Sequence, residues 1–263
     1  MDLGLQGKKA LVCGASKGLG YAVAEALMAE GAEVVIHARS EQRLRDAADR
    51  LEASTGHKPV WCAADITRAE DRERLFHSAT ASLGRIELML VNAGGPPSGP
   101  FLSHSRESWS LAIELALGSM THLCALALPS MQKERFGRIV QIVSIAGLEV
   151  LEGLILSNAS RPAVLGFAKA LAREVAGSGV LVNSICPGIF LTDRIRDLAA
   201  EQSRQQGITP EQALAKLAGD IPIGRPGEPR EVGDLAAFLL SPRNSYLTGA
   251  AIPIDGARTR RLV

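Results

Sequence analysis

Seven short apolar runs, separated by longer helical patterns, constrain this chain more than any other feature. The runs are Lys9–Cys13, Glu33–Ala38, Pro59–Ala63, Ile86–Val91, Arg138–Val143, Leu181–Cys186 and Ala251–Ile254. They are apolar at odd and even positions alike, so each predicted strand needs cover on both faces. Helical periodicity fills the intervals at Leu19–Glu30, Glu41–Ser54, Arg68–Ser82, Ser105–Gln132, Ser157–Ala176 and Glu228–Leu240. Strand and helix in steady alternation build parallel βαβ units. The expected fold is therefore α/β: a three-layer, doubly wound parallel sheet of about seven strands with helices on both faces. No linker, repeat or low-complexity stretch breaks the 263 residues, which read as one domain over 1–263.

One segment departs from the alternation. Between Pro187-Gly188 and Arg225 lies Thr192–Leu217, a polar helical piece that ends in Ile221-Pro222. A long excursion from the carboxyl end of a strand is where open α/β proteins carry a substrate lid. Residues at about 189–222 are read as that lid, in preference to a solvated cover for the sheet edge.

Charge and cysteine usage exclude several functions. The 29 Lys and Arg nearly cancel the 28 Asp and Glu, so no strong field attracts nucleic acid or an anionic membrane. Cys13, Cys62, Cys124 and Cys186 sit in apolar stretches without a CxxC pair or a metal-ligand spacing, so no metal site is expected. They read as buried free thiols of a cytoplasmic protein. The N-terminal residues lack the pattern of a signal peptide. Leu111–Leu128 is apolar enough to suggest a membrane span, but Glu114, Gly118, Ser119, Thr121 and His122 interrupt it. A helix buried on most of its faces accounts for it better.

The first strand runs into Gly14-Ala15-Ser16-Lys17-Gly18-Leu19-Gly20 and then directly into a helix. Glycines there allow a sharp turn and a close approach to a pyrophosphate, which rests on the helix N-terminus. The spacing is G-x-x-x-G-x-G, and its place between strand and helix marks it as the phosphate loop of a Rossmann fold. Cofactor choice follows from charge. The position where a carboxylate would hold an NAD ribose is Ala38, followed by Arg39, and Lys17 adds a cation in the loop. Two cations and no acid favour the extra phosphate of NADP(H) over the reading of both as solvated surface charges.

These motifs resemble the short-chain dehydrogenase/reductase family, and the resemblance covers nearly the whole chain. It rests on Gly14, Gly18 and Gly20, on Asp65-Ile66 after the third strand and on Asn92-Ala93-Gly94 after the fourth. Ser144, Pro187-Gly188 with Thr192, and Asp255-Gly256 continue it. By this resemblance Ser16, Leu19, Asp65 and Ile66 belong to the cofactor site, and Asn92, Ala93 and Gly94 line its cleft. Pro187, Gly188 and Thr192 are expected at the nicotinamide and its neighbouring phosphate. Cys13 stands where the family carries a threonine whose hydroxyl ties the first strand to the Asn-Ala-Gly turn; a thiol makes that tie poorly.

The resemblance also implies a catalytic tetrad of asparagine, serine, tyrosine and lysine, with tyrosine as acid and lysine lowering its pKa. Here the serine is Ser144, the tyrosine position is Ser157, the lysine position is Arg161 and, by offset from Trp109, the asparagine position is Ala116. The downstream Gly166-Phe167-Ala168-Lys169 keeps the register. The only tyrosines, Tyr21 and Tyr246, lie outside the expected site. His104, Glu149 and Glu152 are weaker candidates, better explained as solvated surface residues. Ser144, Ser157 and Arg161 are the catalytic candidates, because hydroxyls can donate and a guanidinium can hold a ribose or a developing alkoxide.

Two readings stay open. The first is an NADP(H)-dependent reductase of a ketone or 3-oxoacyl thioester with a proton donor other than tyrosine. Gly137–Ala146 and Phe167–Cys186 most resemble the carrier-protein 3-oxoacyl reductase branch. The second is a catalytically impaired dinucleotide-binding sensor or partner subunit of the same fold. The resemblance further implies that Ser105–Gln132 and Ser157–Ala176 pair across a two-fold axis into a homodimer or homotetramer. The basic tail Arg258–Val263 reads as a frayed end.

Overall fold

Residues 2–262 are described in the computed structural model. The strands are β1 (Lys9–Cys13), β2 (Glu33–Ala38), β3 (Val60–Ala63), β4 (Leu88–Val91), β5 (Gly137–Ile142), β6 (Val180–Pro187) and β7 (Ala251–Ile254). They form one sheet in the order β3-β2-β1-β4-β5-β6-β7, and every described pairing is parallel. The expected doubly wound sheet is therefore present, with strand boundaries within two residues of those read from the apolar runs. The order reverses between β1 and β4, which opens a crevice at their carboxyl ends.

The helices are α1 (Gly18–Ala29), α2 (Glu41–Thr55), α3 (Ala69–Leu83), α4 (Arg106–Ile113) and α5 (Ser119–Lys133). They continue with α6 (Ile155–Val175), α7 (Asp193–Gln206), α8 (Pro210–Ala218) and α9 (Pro229–Leu240). Alternate strand residues feed two separate cores. Ala10, Val12, Leu88 and Leu90 join Val23, Leu44 and Val232 under α1, α2 and α9. Leu11, Cys13, Met89 and Val91 join Leu75, Leu123 and Leu171 under α3, α5 and α6. This division explains why the strands are apolar at every position: each must satisfy a helical layer above and below. Gly233 of α9 lies so close to α1 that a Cβ there would come within 2.6 Å of the Ala22 carbonyl oxygen.

The single helix expected over Ser105–Gln132 is instead α4 and α5 joined by a π-helical turn at Glu114–Gly118. The extra residue in that turn shifts the register of the buried face. Gly118 leaves room for the Glu114 side chain, which folds back toward α3 and pairs with the buried Arg72. By length and composition the combined helix could cross a membrane, yet less than half of its most apolar window is buried within the fold. It is thus not buried on most of its faces, as the sequence suggested: Leu111 and Ile113 are exposed.

The excursion after β6 forms α7 and α8. Gly207 ends α7 in a left-handed conformation (φ 63°), and Thr209 opens α8 with a reciprocal capping box to Gln212. Its base is tied down where Leu191 N–H donates to Gly227 O at 2.8 Å and Gly227 N–H to Ile189 O at 2.9 Å.

Candidate active site

The crevice between β1 and β4 is built by close backbone packing. Gly14 turns the chain out of β1 at φ +65°, a conformation that favours glycine. The Asn92 side-chain amide donates to the Gly14 carbonyl at 3.3 Å, joining the two strand ends. This bond does the bracing expected of the family threonine at the Cys13 position. Cys13 itself is fully buried, and burial pushes its thiol up to about 12. Lys17 precedes α1 without a side-chain cap, so no side chain occupies the first-turn N–H groups of this helix.

A cleft of about 1030 Å³ extends from this point. The phosphate loop contributes Gly14, Ser16, Lys17 and Gly18 to its wall, and the ends of β2 and β3 contribute Arg39, Asp65 and Ile66. Asn92, Ala93 and Gly94 form the wall beyond β4, and Thr192 faces them from the start of the excursion. Gly94 is at φ +75°, and a Cβ there would meet nothing within 4 Å, so this part of the wall opens onto free space.

Other expected residues lie behind the wall. Gly20 packs against the Gly14 backbone, and Leu19 is packed against the core beneath α1 and α9. Pro187 ends β6 inside the sheet, and a Cβ on Gly188 would lie 2.8 Å from Asp255 Cβ. Ser144, Ser157 and Arg161 are also absent from the cleft lining. Ser157 is 9% exposed and Arg161 6% exposed, and Arg161 reaches the cleft wall through a hydrogen bond from Nη2 to the Gly94 carbonyl.

Around Ser144 the surroundings are apolar. Ala116, in the π-helical turn, clusters with Val143, Ile145, Val164 and Cys186, so the turn, the serine and α6 converge. Ser144 Oγ accepts from Ala146 N–H at 3.0 Å, which leaves its own hydrogen free to donate. Burial chiefly raises the Cys186 thiol to about 11, against a backbone hydrogen bond from Ser144 and the charges of Arg261 and Arg161. Burial likewise lowers Arg161 to about 10, with a further contribution from Arg194. Asn158 pins the preceding loop to α6: its amide donates to Leu151 O at 2.7 Å, and its oxygen accepts from Leu151 N–H at 3.1 Å.

Cations dominate the far end of the cleft. Arg43 joins Arg39 there, together with Ser40, and no acid occupies position 38. Asp65 faces the same end, but its carboxylate accepts from Thr67 N–H at 3.0 Å and Thr67 Oγ1 at 2.8 Å. The Thr67 backbone bond is the first cause holding its pKa below the usual range. Arg43 was missed in the sequence, although a signal existed: Ser40 caps α2 and brings its first turn to the end of β2. His37, also on the wall, donates Nε2–H to the Ala64 carbonyl at 3.0 Å, and burial lowers its pKa. Arg194 was missed as well, and no local pattern marks it.

The tyrosines offer no substitute acid. Tyr246 is 97% exposed, and Arg50 lies over the Tyr21 ring at 4.7 Å. His104 approaches the Gly99 carbonyl at 3.3 Å. Only the start of the basic tail is tied back; Leu262 is fully exposed, and Val263 lies outside the described residues. Thr259 N–H donates to Asp255 Oδ2 at 2.8 Å and Arg260 N–H to Glu149 Oε2 at 3.5 Å.

Comparison with known proteins agrees with this architecture. The family described as Enoyl-(Acyl carrier protein) reductase matches residues 14–258. The chain is 35% identical to 3-oxoacyl-(acyl-carrier-protein) reductase FabG of Vibrio cholerae, over 97% of this chain and 98% of that protein. It is also 35% identical to the oxidoreductase UcpA of Salmonella typhimurium, over 97% and 95% respectively. Among solved structures, L-sorbose reductase from Gluconobacter frateurii, complexed with NADPH and L-sorbose, superposes with a TM-score of 0.96 at 31% identity. That match covers 100% of both chains. On the phosphate loop, the sheet order and these full-length matches, the chain belongs to the short-chain dehydrogenase/reductase family of oxidoreductases.

Proposed function

We propose that this protein is an NADP(H)-dependent reductase of a ketone or 3-oxoacyl thioester, with a proton donor other than tyrosine. The observation that carries the reading is the cationic far end of the cleft, where Arg39 and Arg43 stand together, position 38 holds no acid and the Asp65 carboxylate is engaged by Thr67. A ribose 2′-phosphate suits that end, and a pyrophosphate suits Lys17 and the uncapped start of α1. NADPH-bound L-sorbose reductase, at 31% identity, supports the same cofactor. The FabG relative supports a 3-oxoacyl substrate.

When bound, the cofactor supplies the hydride. The residues of this chain then have to hold the carbonyl and deliver a proton. Ser144 can hydrogen-bond the substrate oxygen and pass it a proton that solvent water replaces, and Ser157, four residues before Arg161 on α6, can add a second hydroxyl. Arg161 keeps its charge at neutral pH and can stabilise a developing alkoxide, although it is a poor proton relay. Loss of a positioned acid typically costs about 10²–10⁴-fold, so slow turnover is expected.

Residues 189–222 act as the lid in this reading, since Thr192, Asp193 and Arg194 already face the cleft. The exposed Ile113, outside the cleft lining, favours burial against another copy, in a homodimer or homotetramer. Four free buried cysteines fit a cytoplasmic setting, and the net charge of +1 argues against a nucleic-acid partner.

One observation favours the second reading, a dinucleotide-binding sensor or partner subunit: Ser157 and Arg161 are both buried away from the cleft lining. NADPH oxidation with a panel of ketones and 3-oxoacyl thioesters separates the two. Turnover that depends on Ser144 supports the reductase. Tight NADPH binding with no oxidation across the panel supports the sensor.

A further inference from the structure

We infer that the cleft contains, beside Gly95, a subsite for a carboxylate of the substrate, formed by Arg194 of α7 in the lining and backed by the buried charge of Arg161 of α6 behind the wall. This rests on the reductase reading and narrows its substrate to a short oxo acid. The two guanidiniums approach the same backbone point from different elements. A Cβ on Gly95 would lie 3.2 Å from Arg194 Nη1 and 3.9 Å from Arg161 Nη2.

Two like charges gathered in this way need a reason. Arg161 is 6% exposed, donates Nη2 to the Gly94 carbonyl, and leaves Nε buried without a partner. Among the described residues, neither guanidinium forms an ion pair with a carboxylate. A buried cation without a counter-charge is costly, and its repulsion by a second cation adds to the cost. A bound anion relieves both terms. The planar guanidinium fork matches the geometry of a carboxylate, which accepts two parallel N–H bonds.

Position argues for the substrate over the cofactor. Lys17 and the start of α1 serve a pyrophosphate at the Gly14 end, and Arg39 and Arg43 serve a phosphate at the far end. Gly95 lies three residues past Asn92, the residue bonded to Gly14, and leads into Pro96 and Pro97. Leu111 and Leu115 also line the cleft, so apolar surface is available for the carbon skeleton of the acid.

The test is calorimetric titration of the full-length protein, loaded with NADP⁺, using acetoacetate and its neutral methyl ester. The oxidised cofactor cannot reduce either ketone, so the titration reads binding alone. The acid should bind about tenfold or more tightly than the ester. Arg194→Gln should remove that preference, and Arg194→Lys should restore part of it. Equal affinity for acid and ester, or no binding of the acid, overturns the subsite. So does an Arg194→Gln protein whose NADP⁺ affinity falls by the same factor, because the arginine then serves the cofactor. Acid binding without NADPH oxidation by any ketone leaves the subsite standing and removes only the reductase reading.

Discussion

Lys17 Nζ lies 3.5 Å from the Asp193 carboxylate, an ion pair that links the phosphate loop to the first turn of α7. Both side chains are about half exposed, so the pair contributes little to stability. Its consequence is geometric. The same lysine faces the cleft, at the end proposed for the dinucleotide phosphates. Cofactor binding is therefore expected to draw Lys17 away from Asp193 and to shift α7.

Cofactor preference tests the cationic end. NADPH should bind more tightly than NADH by one to two decades, because a charge-assisted hydrogen bond contributes about 1.5–3 kcal/mol. Arg39→Asp should erase or reverse the preference. Fluorescence titration of both nucleotides decides it, and equal affinities in the unmodified protein sink the assignment.

Residues 192–218 should exchange amide hydrogens rapidly in the free protein and gain protection once cofactor and substrate bind. The tie of Leu191 and Ile189 to Gly227 should stay protected throughout, as the fixed base of the motion. Unchanged exchange with ligand demonstrably bound would reduce α7 and α8 to a cover for the sheet edge.

Restoring the family residues tests the proton donor. Ser157→Tyr with Arg161→Lys supplies a phenol and a cation that lowers its pKa, and should raise turnover by a large part of the usual factor of about 10²–10⁴. Both changes should be needed together. Ala116→Asn should add a smaller increment. The measurement is NADPH oxidation by the unmodified protein, both single variants and the double. Robust activity that survives Ser157→Ala and Arg161→Ala would place the donor elsewhere.

The start of α9 gives a pH-dependent prediction. Glu231 accepts from Arg225 at 2.7 and 3.0 Å and from Glu228 N–H at 2.7 Å. The Arg225 hydrogen bonds chiefly lower its carboxyl from 4.5 to about 2. A carboxylate whose folded pKa is depressed stabilises the fold above its unfolded pKa and stops doing so as pH falls through the folded one. Glu231→Gln keeps an acceptor for the Glu228 N–H but loses the charge that faces Arg225, so it should destabilise by about 0.5 kcal/mol at pH 7, the usual worth of a half-exposed ion pair. Urea denaturation should show that deficit intact at pH 6 and shrinking below pH 4.5. A deficit constant down to pH 3 would refute the ion-paired cap.

The central helix shows where sequence reading lost resolution. Its apolar pattern from Ser105 to Gln132 is continuous, so periodicity reports one regular helix. The π-helical turn at Glu114–Gly118 starts at the residue that pairs with Arg72, which stands 42 residues earlier on α3. Arg194 is a similar case. It lies in a polar segment among other charged residues, and its meeting with Arg161 at Gly95 exists only when α6 and α7 are folded against the same loop. The brace between Gly14 and Asn92 likewise joins residues 78 positions apart.

The layers, the strands to within two residues and the place of the phosphate loop were legible in the sequence, because these follow from local periodicity and from glycines that permit close backbone approach. By its resemblance to the family the sequence also proposes Ser157 and Arg161 for the tyrosine and lysine positions, which the double variant tests. The tertiary structure decided which of those residues face the cleft, how deeply Arg161 is buried and what stands beside it. Burial and charge are sums over neighbours brought in by distant segments. Thus the pairing of Arg161 with Arg194 arises only where α6, α7 and the loop after β4 meet.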